Sequence, residues 1–147
     1  MDATASPVPP SSAAVGMFAC VAADDHAAVV LRSLWERIDA QAWDRLADLL
    51  HPDFRSRYVH TGEVLDRAGY VAVNRDYPGR WRVHVDDVVS SGWRAVTRTT
   101  VTDGSTTFHV ASFGEVRDAG VVELVEVWAD SEATPPPHRR PPQPTGH

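Results

Sequence analysis

The chain is expected to fold as an α+β domain, with a curved, mostly antiparallel sheet wrapped around two to three N-terminal helices. Three observations point there. Residues 24–50 carry apolar positions at helical spacing, a lone alternating stretch follows a His-Pro-Asp step, and residues 81–130 hold four long alternating segments separated by turn signals.

Each element has a local cause. Asp24 and Asp25 are good caps for a first helix, in which Val30, Leu34 and Ile38 recur every fourth residue with Leu31 and Trp35 beside them. Asp39–Gln41 break that helix, and a second one carries Trp43, Leu46, Leu49 and Leu50. It is expected to stop before Pro52, because proline disfavours helical backbone in the residue preceding it. Phe54–His60 alternates and reads as a strand, turned by Thr61-Gly62-Glu63. Arg67–Arg75 reads as a short helix with Tyr70, Val71 and Val73 on its apolar side, stopped by Pro78-Gly79. Trp81–Val89, Trp93–Thr102, Ser105–Arg117 and Val121–Asp130 follow as strands. Between them lie Ser90-Ser91-Gly92, the strong hairpin signal Asp103-Gly104, and Asp118-Ala119-Gly120.

The folded unit is therefore residues 24–130. Residues 1–23 read as a disordered Ala/Ser/Pro-rich leader and residues 131–147 as a disordered proline-rich tail, since neither buries enough apolar surface to offset its ordering entropy. With 147 residues, 43% of them hydrophobic, the chain is the size of one domain with a real core.

Composition excludes several chemistries. All 14 basic residues are arginine, which rules out lysine Schiff bases and a P-loop lysine. A net charge of −6 without a basic stripe argues against a nucleic-acid partner. A single cysteine, Cys20, allows no intrachain disulfide, and no run is long and apolar enough for a membrane helix, so a cytoplasmic protein is expected. No cofactor fingerprint and no metal-ligand spacing occur. His60 and His84 are not spaced as ligands, and His51 reads as structural at a helix end.

Three stretches carry a resemblance. They are His51-Pro52-Asp53-Phe54 after a helical hairpin, Thr61-Gly62-Glu63 followed by Tyr70–Pro78, and Phe108–Asp118 followed by Val121–Trp128. Their order and spacing resemble the NTF2-like superfamily, and within it the SnoaL-like polyketide cyclases. The resemblance implies a cone-shaped domain around a pocket. Its members include cyclases, ketosteroid isomerases, epoxide hydrolases, dehydratases and non-catalytic binding modules, so the pocket residues must decide function.

Strand alternation puts Leu124, Glu126 and Trp128 on one face of the last strand and His109, Ala111 and Phe113 on one face of the strand before. Similarity to the isomerases implies that both sets face the pocket, together with Leu34, Trp35 and Tyr58. Tyr58 stands where those enzymes carry a carboxylate base, and Leu34 and Ala111 stand where they hold an enolate, so isomerase chemistry is not expected. An epoxide hydrolase would need an Asp-Arg-Asp set, of which Arg98 and Asp130 supply two members. Arg94 and Arg98 are expected to straddle the sheet. The cyclases' acid near the end of the last strand corresponds to Asp130 in one register and to Ala129 in the other.

The candidate catalytic residues are Glu126, His109, Tyr58 and Asp130. Among apolar neighbours the carboxyl of Glu126 is expected to have a raised pKa suited to proton transfer. His109 offers a proton relay and Tyr58 a hydrogen-bond donor. Leu34, Trp35, Ala111, Phe113, Leu124 and Trp128 are the candidate substrate-binding walls.

The function expected is a cyclase closing a ring on a hydrophobic polyketide intermediate, by an aldol-type or a pericyclic step, without cofactor or metal. The alternatives are a binding module and an epoxide hydrolase or dehydratase. A homodimer is expected through the outer sheet face, where alternation places Val110, Val125 and Val127.

Overall fold

The computed structural model describes residues 12–118, 120–131 and 137–139, with the side chains described from Asp25 onward. The elements run α1 (Ser12–Asp39), α2 (Trp43–Leu49), β1 (Leu50–Tyr58), β2 (Val64–Asp66), α3 (Arg67–Asp76), β3 (Arg82–Ser91), β4 (Arg94–Thr102), β5 (Thr107–Arg117) and β6 (Gly120–Asp130), with a single 3-10 turn at Pro137–Arg139. Residues 1–11 of the expected leader, and residues 132–136 and 140–147 of the expected tail, lie outside the described residues.

Six strands form one sheet in the order β2-β1-β6-β5-β4-β3. Every pairing is antiparallel except β1 with β6, where the first and the last strand meet in parallel. The three helices and this curved mixed sheet make the NTF2-like α+β cone.

The first helix drives the core. Ala27, Val30, Leu31, Leu34 and Trp35 are all buried, an i, i+3, i+4, i+7, i+8 stripe lying on the concave face of the sheet. Burying a Leu-sized side chain contributes roughly 1.5–3 kcal/mol, so this stripe is a principal source of stability. The helix begins at Ser12, not at the Asp24-Asp25 step, so part of the expected leader is helical backbone. Alanines at positions 13, 14, 19, 22 and 23 favour that backbone, and no proline interrupts it after Pro10. At the other end Asp39 accepts from the Val83 amide at 2.8 Å, tying α1 to β3.

The expected turns hold with small shifts. Gly104 has φ +91°, and the Asp103 carboxylate accepts from the amides of Ser105 and Thr106 at 2.9 and 2.7 Å. Asp66 caps α3 by accepting from the Gly69 amide at 2.8 Å. Ser90 and Ser91 extend β3 instead of turning, and the short strand β2 was not anticipated. No helix among the described residues is long and apolar enough to cross a membrane.

One register expectation is overturned. On β5 the inward residues are Val110, Ser112, Gly114 and Val116, while His109, Ala111 and Phe113 face outward. Val110 therefore belongs to the core and not to the outer face, whereas Val125 and Val127 lie outside as expected. The cause is the helix above: a Cβ at Gly114 would collide with the Leu31 side chain. A strand with apolar residues of both parities is assigned by which side chains the helix leaves room for. Arg94 and Arg98 also share the outer face instead of straddling the sheet.

Candidate active site

The concave face carries a polar row through an otherwise apolar core. Register aligns Thr97 on β4 with Ser112 on β5, Ser112 with Glu126 on β6, and Glu126 with Tyr58 on β1. Trp35 on α1 donates to the Thr97 hydroxyl at 3.0 Å. Thr97, Ser112 and Glu126 are fully buried.

Glu126 is the chemical centre of this row. Its Oε1 accepts from the Tyr70 hydroxyl at 3.0 Å and its Oε2 from the Trp128 indole N–H at 2.8 Å. Burial pushes its pKa up to about 7, against the two hydrogen bonds, which favour the charged form. Burial, followed by the charges of Glu126 and Glu63, raises the Tyr58 phenol far beyond its ordinary value, so it remains a hydrogen-bond donor. Burial and Glu126 likewise raise Tyr70 well above the usual phenol range.

Beside this row opens a cavity of about 350 Å³. Its walls carry an unbroken chain of rings: Tyr77 meets Trp81 at 5.6 Å between centroids, Trp81 meets Phe108 at 5.6 Å, Phe108 meets Trp128 at 6.1 Å, and Trp128 meets Trp35 at 6.3 Å. Tilted and edge-to-face contacts of this kind stabilise the wall itself. Tyr58 and Trp43 also line the space, while His60, Glu63, Asn74 and Arg75 supply polar groups.

The expected site residues divide three ways. Tyr58, Trp35 and Trp128 line the cavity, and Glu126 lies buried behind Tyr58 and Trp128. Leu34 and Leu124 are fully buried core residues that do not line it. His109, Ala111 and Phe113 are not in the site at all, because β5 presents its other face. The His109 ring lies 3.5 Å from the Thr100 hydroxyl, which donates to Asp86 at 2.6 Å on the outer surface. Asp130 pairs with Phe108 at the exposed end of β6, while Arg98 lies on the opposite face, so an epoxide-opening set does not assemble from these two.

Sequence reasoning missed Tyr70 as the partner of Glu126, and Trp81, Tyr77, Phe108 and Glu63 as lining. Tyr70 was visible only as an apolar position on α3. Its phenol finds a carboxylate 56 positions away, which no local pattern encodes. Among the described residues no group of three or more His, Cys, Asp or Glu is placed to hold a metal ion.

No curated protein sequence matches the chain. Among solved structures it is similar to a putative ketosteroid isomerase from Kribbella flavida, at 27% identity and a TM-score of 0.72 over 82% of this chain and 92% of that one. It is also similar to an NTF2-like protein of unknown function from Burkholderia xenovorans, at 20% identity and a TM-score of 0.68 over 77% and 90% of the two chains. A third likeness is to IdmH, a putative polyketide cyclase from Streptomyces antibioticus, at 19% identity and a TM-score of 0.63 over 69% and 91%. The model of the SnoaL-like domain matches residues 31–124, from the middle of α1 to the strand that carries Glu126, and the chain belongs to that family.

Proposed function

We propose that this protein is a cofactor-independent cyclase that closes a ring on a hydrophobic polyketide-type intermediate. The observation that carries the proposal is Tyr58 standing in an aromatic-walled cavity with Glu126 beside it on the neighbouring strand. A phenol kept protonated by burial and two nearby carboxylates donates to a carbonyl and, more strongly, to the enolate oxygen that develops from it. The ring chain holds a flexible substrate folded, and orientation of this kind lowers a barrier by up to about 7–11 kcal/mol in the best cases. Glu126 does not line the cavity. It is a positioning residue that holds the Trp128 wall by a hydrogen bond and whose charge keeps the Tyr58 phenol protonated. An aldol-type closure uses all of these groups, whereas a pericyclic closure needs only the shape.

One observation favours a second reading, a binding module. Both oxygens of Glu126 are already held by donors, as in a carboxyl that serves structure alone. A homodimer through the outer sheet face belongs to either reading.

The deciding experiment incubates purified protein with extracts of a strain lacking its gene and follows products by mass spectrometry, with Tyr58→Phe and Glu126→Gln alongside. Conversion of an accumulated compound to an isomer or a dehydrated product, slowed in Tyr58→Phe, supports the cyclase. A compound that binds and returns unchanged leaves the binding module.

A further inference from the structure

We propose that Glu63 is the general base of the site, a catalytic residue lining the same cavity as Tyr58. This rests on the enolate-forming reading above and supplies the proton acceptor that reading lacks.

Glu126 is unable to take this role. It is fully buried, and its two oxygens are engaged by the Tyr70 hydroxyl and the Trp128 N–H. A base that removes a proton from carbon needs a free lone pair within reach of the ligand, and Glu126, fully buried and not part of the cavity wall, presents none there. His109 is on the other side of the sheet, and Asp130 lies at the exposed end of β6. Glu63 is the only carboxylate among the described lining residues.

The turn that carries Glu63 is built onto Tyr58. The Tyr58 amide donates to the Glu63 carbonyl at 2.9 Å, and the Gly62 amide donates to the Tyr58 carbonyl at 2.8 Å. Gly62 has φ +73°, a backbone that other residues rarely adopt, and the Thr61 hydroxyl accepts from the Glu63 amide at 3.3 Å. These bonds fix the Glu63 backbone relative to that of Tyr58, so the acceptor is carried on a turn anchored to the residue that bears the donor. The negative charge of Glu63 reaches the phenol, where it opposes loss of the phenolic proton. Tyr58 therefore stays a donor while Glu63 acts as the acceptor.

The step balances without a co-reactant. The Glu63 carboxylate takes a proton from the carbon beside a ketone. The C–H electron pair becomes the enolate, whose oxygen accepts from the Tyr58 hydroxyl. The enolate carbon bonds to a second carbonyl carbon, and the pair displaced onto its oxygen takes the proton back from Glu63. The product is an isomer of the substrate, and Glu63 ends as it began. The ligand class is thus narrowed to a flat chain or ring system bearing an enolisable ketone with a second carbonyl within folding distance.

The test uses 2-tetralone, an enolisable fused-ring ketone. Its α-proton exchange is followed by proton NMR in deuterated buffer, and its binding by quenching of tryptophan fluorescence. Wild-type protein is expected to bind it and accelerate exchange. Glu63→Gln is expected to bind it equally and lose at least about 100-fold in exchange rate, Glu63→Asp to recover part of that loss, and Glu123→Gln, an outer-face carboxylate, to match wild type. If Glu63→Gln exchanges as fast as wild type while Tyr58→Phe is slow, the base assignment is overturned and the cyclase reading stands. If wild-type protein binds without accelerating exchange, or does not bind, the enolate reading falls and takes this assignment with it.

Discussion

Tyr70 on α3 and Glu126 on β6 are joined by a 3.0 Å hydrogen bond between two fully buried side chains, and through it the short helix is anchored to the strand at the centre of the site. Burial of that carboxyl, against the pull of this bond, makes fold stability depend on its protonation. Glu126 has a folded pKa raised to about 7 from an ordinary 4.5. Between those values the native state holds a proton that the unfolded chain has released. Its contribution is thus fully present below about pH 4.5 and is lost as pH rises toward 7, on the order of 3 kcal/mol in all. The lowered carboxylates Asp86 and Asp103 act in the opposite sense and below their ordinary 3.8, outside this window. Thermal melts of wild type from pH 4.5 to 8 should show the decline, and Glu126→Gln should be nearly flat. Parallel profiles for the two proteins would contradict the raised pKa.

Removing the hydroxyl alone separates the bond from the packing. Tyr70→Phe keeps the ring against Phe54, whose centroid lies 5.3 Å away, and deletes one of the two donors to Glu126. Hydrogen bonds to charged groups contribute about 1.5–3 kcal/mol, so the variant should lose that much at pH 8, where the carboxylate is ionised. The loss at pH 5 should be smaller, and the Glu126 titration should move upward. Chemical denaturation at the two pH values checks this. Equal losses at both would mean that the hydroxyl serves the neutral acid as well as the anion.

How much of this was legible in the sequence depends on how local each cause is. The α1 stripe, the Asp103-Gly104 hairpin and the inward face of β6 follow from spacing and turn chemistry within a few residues, and all three were read correctly. The face of β5 was not, because both of its parities carry apolar residues and only the approach of Leu31 to Gly114 decides between them. That one-residue slip removed Phe108 from the expected pocket and put His109, Ala111 and Phe113 into it. The raised carboxyl of Glu126 was legible from its apolar neighbours, while its partner Tyr70 was not, since the pairing is a product of topology.

Thr97 tests the polar row away from the cavity. Its hydroxyl accepts from the Trp35 N–H at 3.0 Å, and both residues are buried. Thr97→Val keeps the shape and leaves the indole N–H without its partner, which costs about 1–3 kcal/mol. Thr97→Ser retains the acceptor and should lose only the methyl packing. Urea unfolding of the pair should rank serine above valine, and the reverse order would show that the methyl, not the hydroxyl, holds Trp35.

The outer sheet face gives the last prediction. Phe113 and Val127 are 41% and 42% exposed, and register sets Phe113 between Val96 on β4 and Val125 on β6, with Ala111 beside Val127. This strip is apolar and continuous across three strands, and Val89 on β3, 58% exposed, extends it beyond Val96. Apolar side chains lined up on a sheet face remain in water only at a free-energy cost of roughly 25 cal/mol per Å², and a second copy of the same face relieves that cost symmetrically. Light scattering should give twice the chain mass. Phe113→Arg places a charge in the centre of the strip without disturbing the concave side and should yield a monomer with the cavity intact. A wild-type mass of one chain would show that the strip stays in water or serves a different partner.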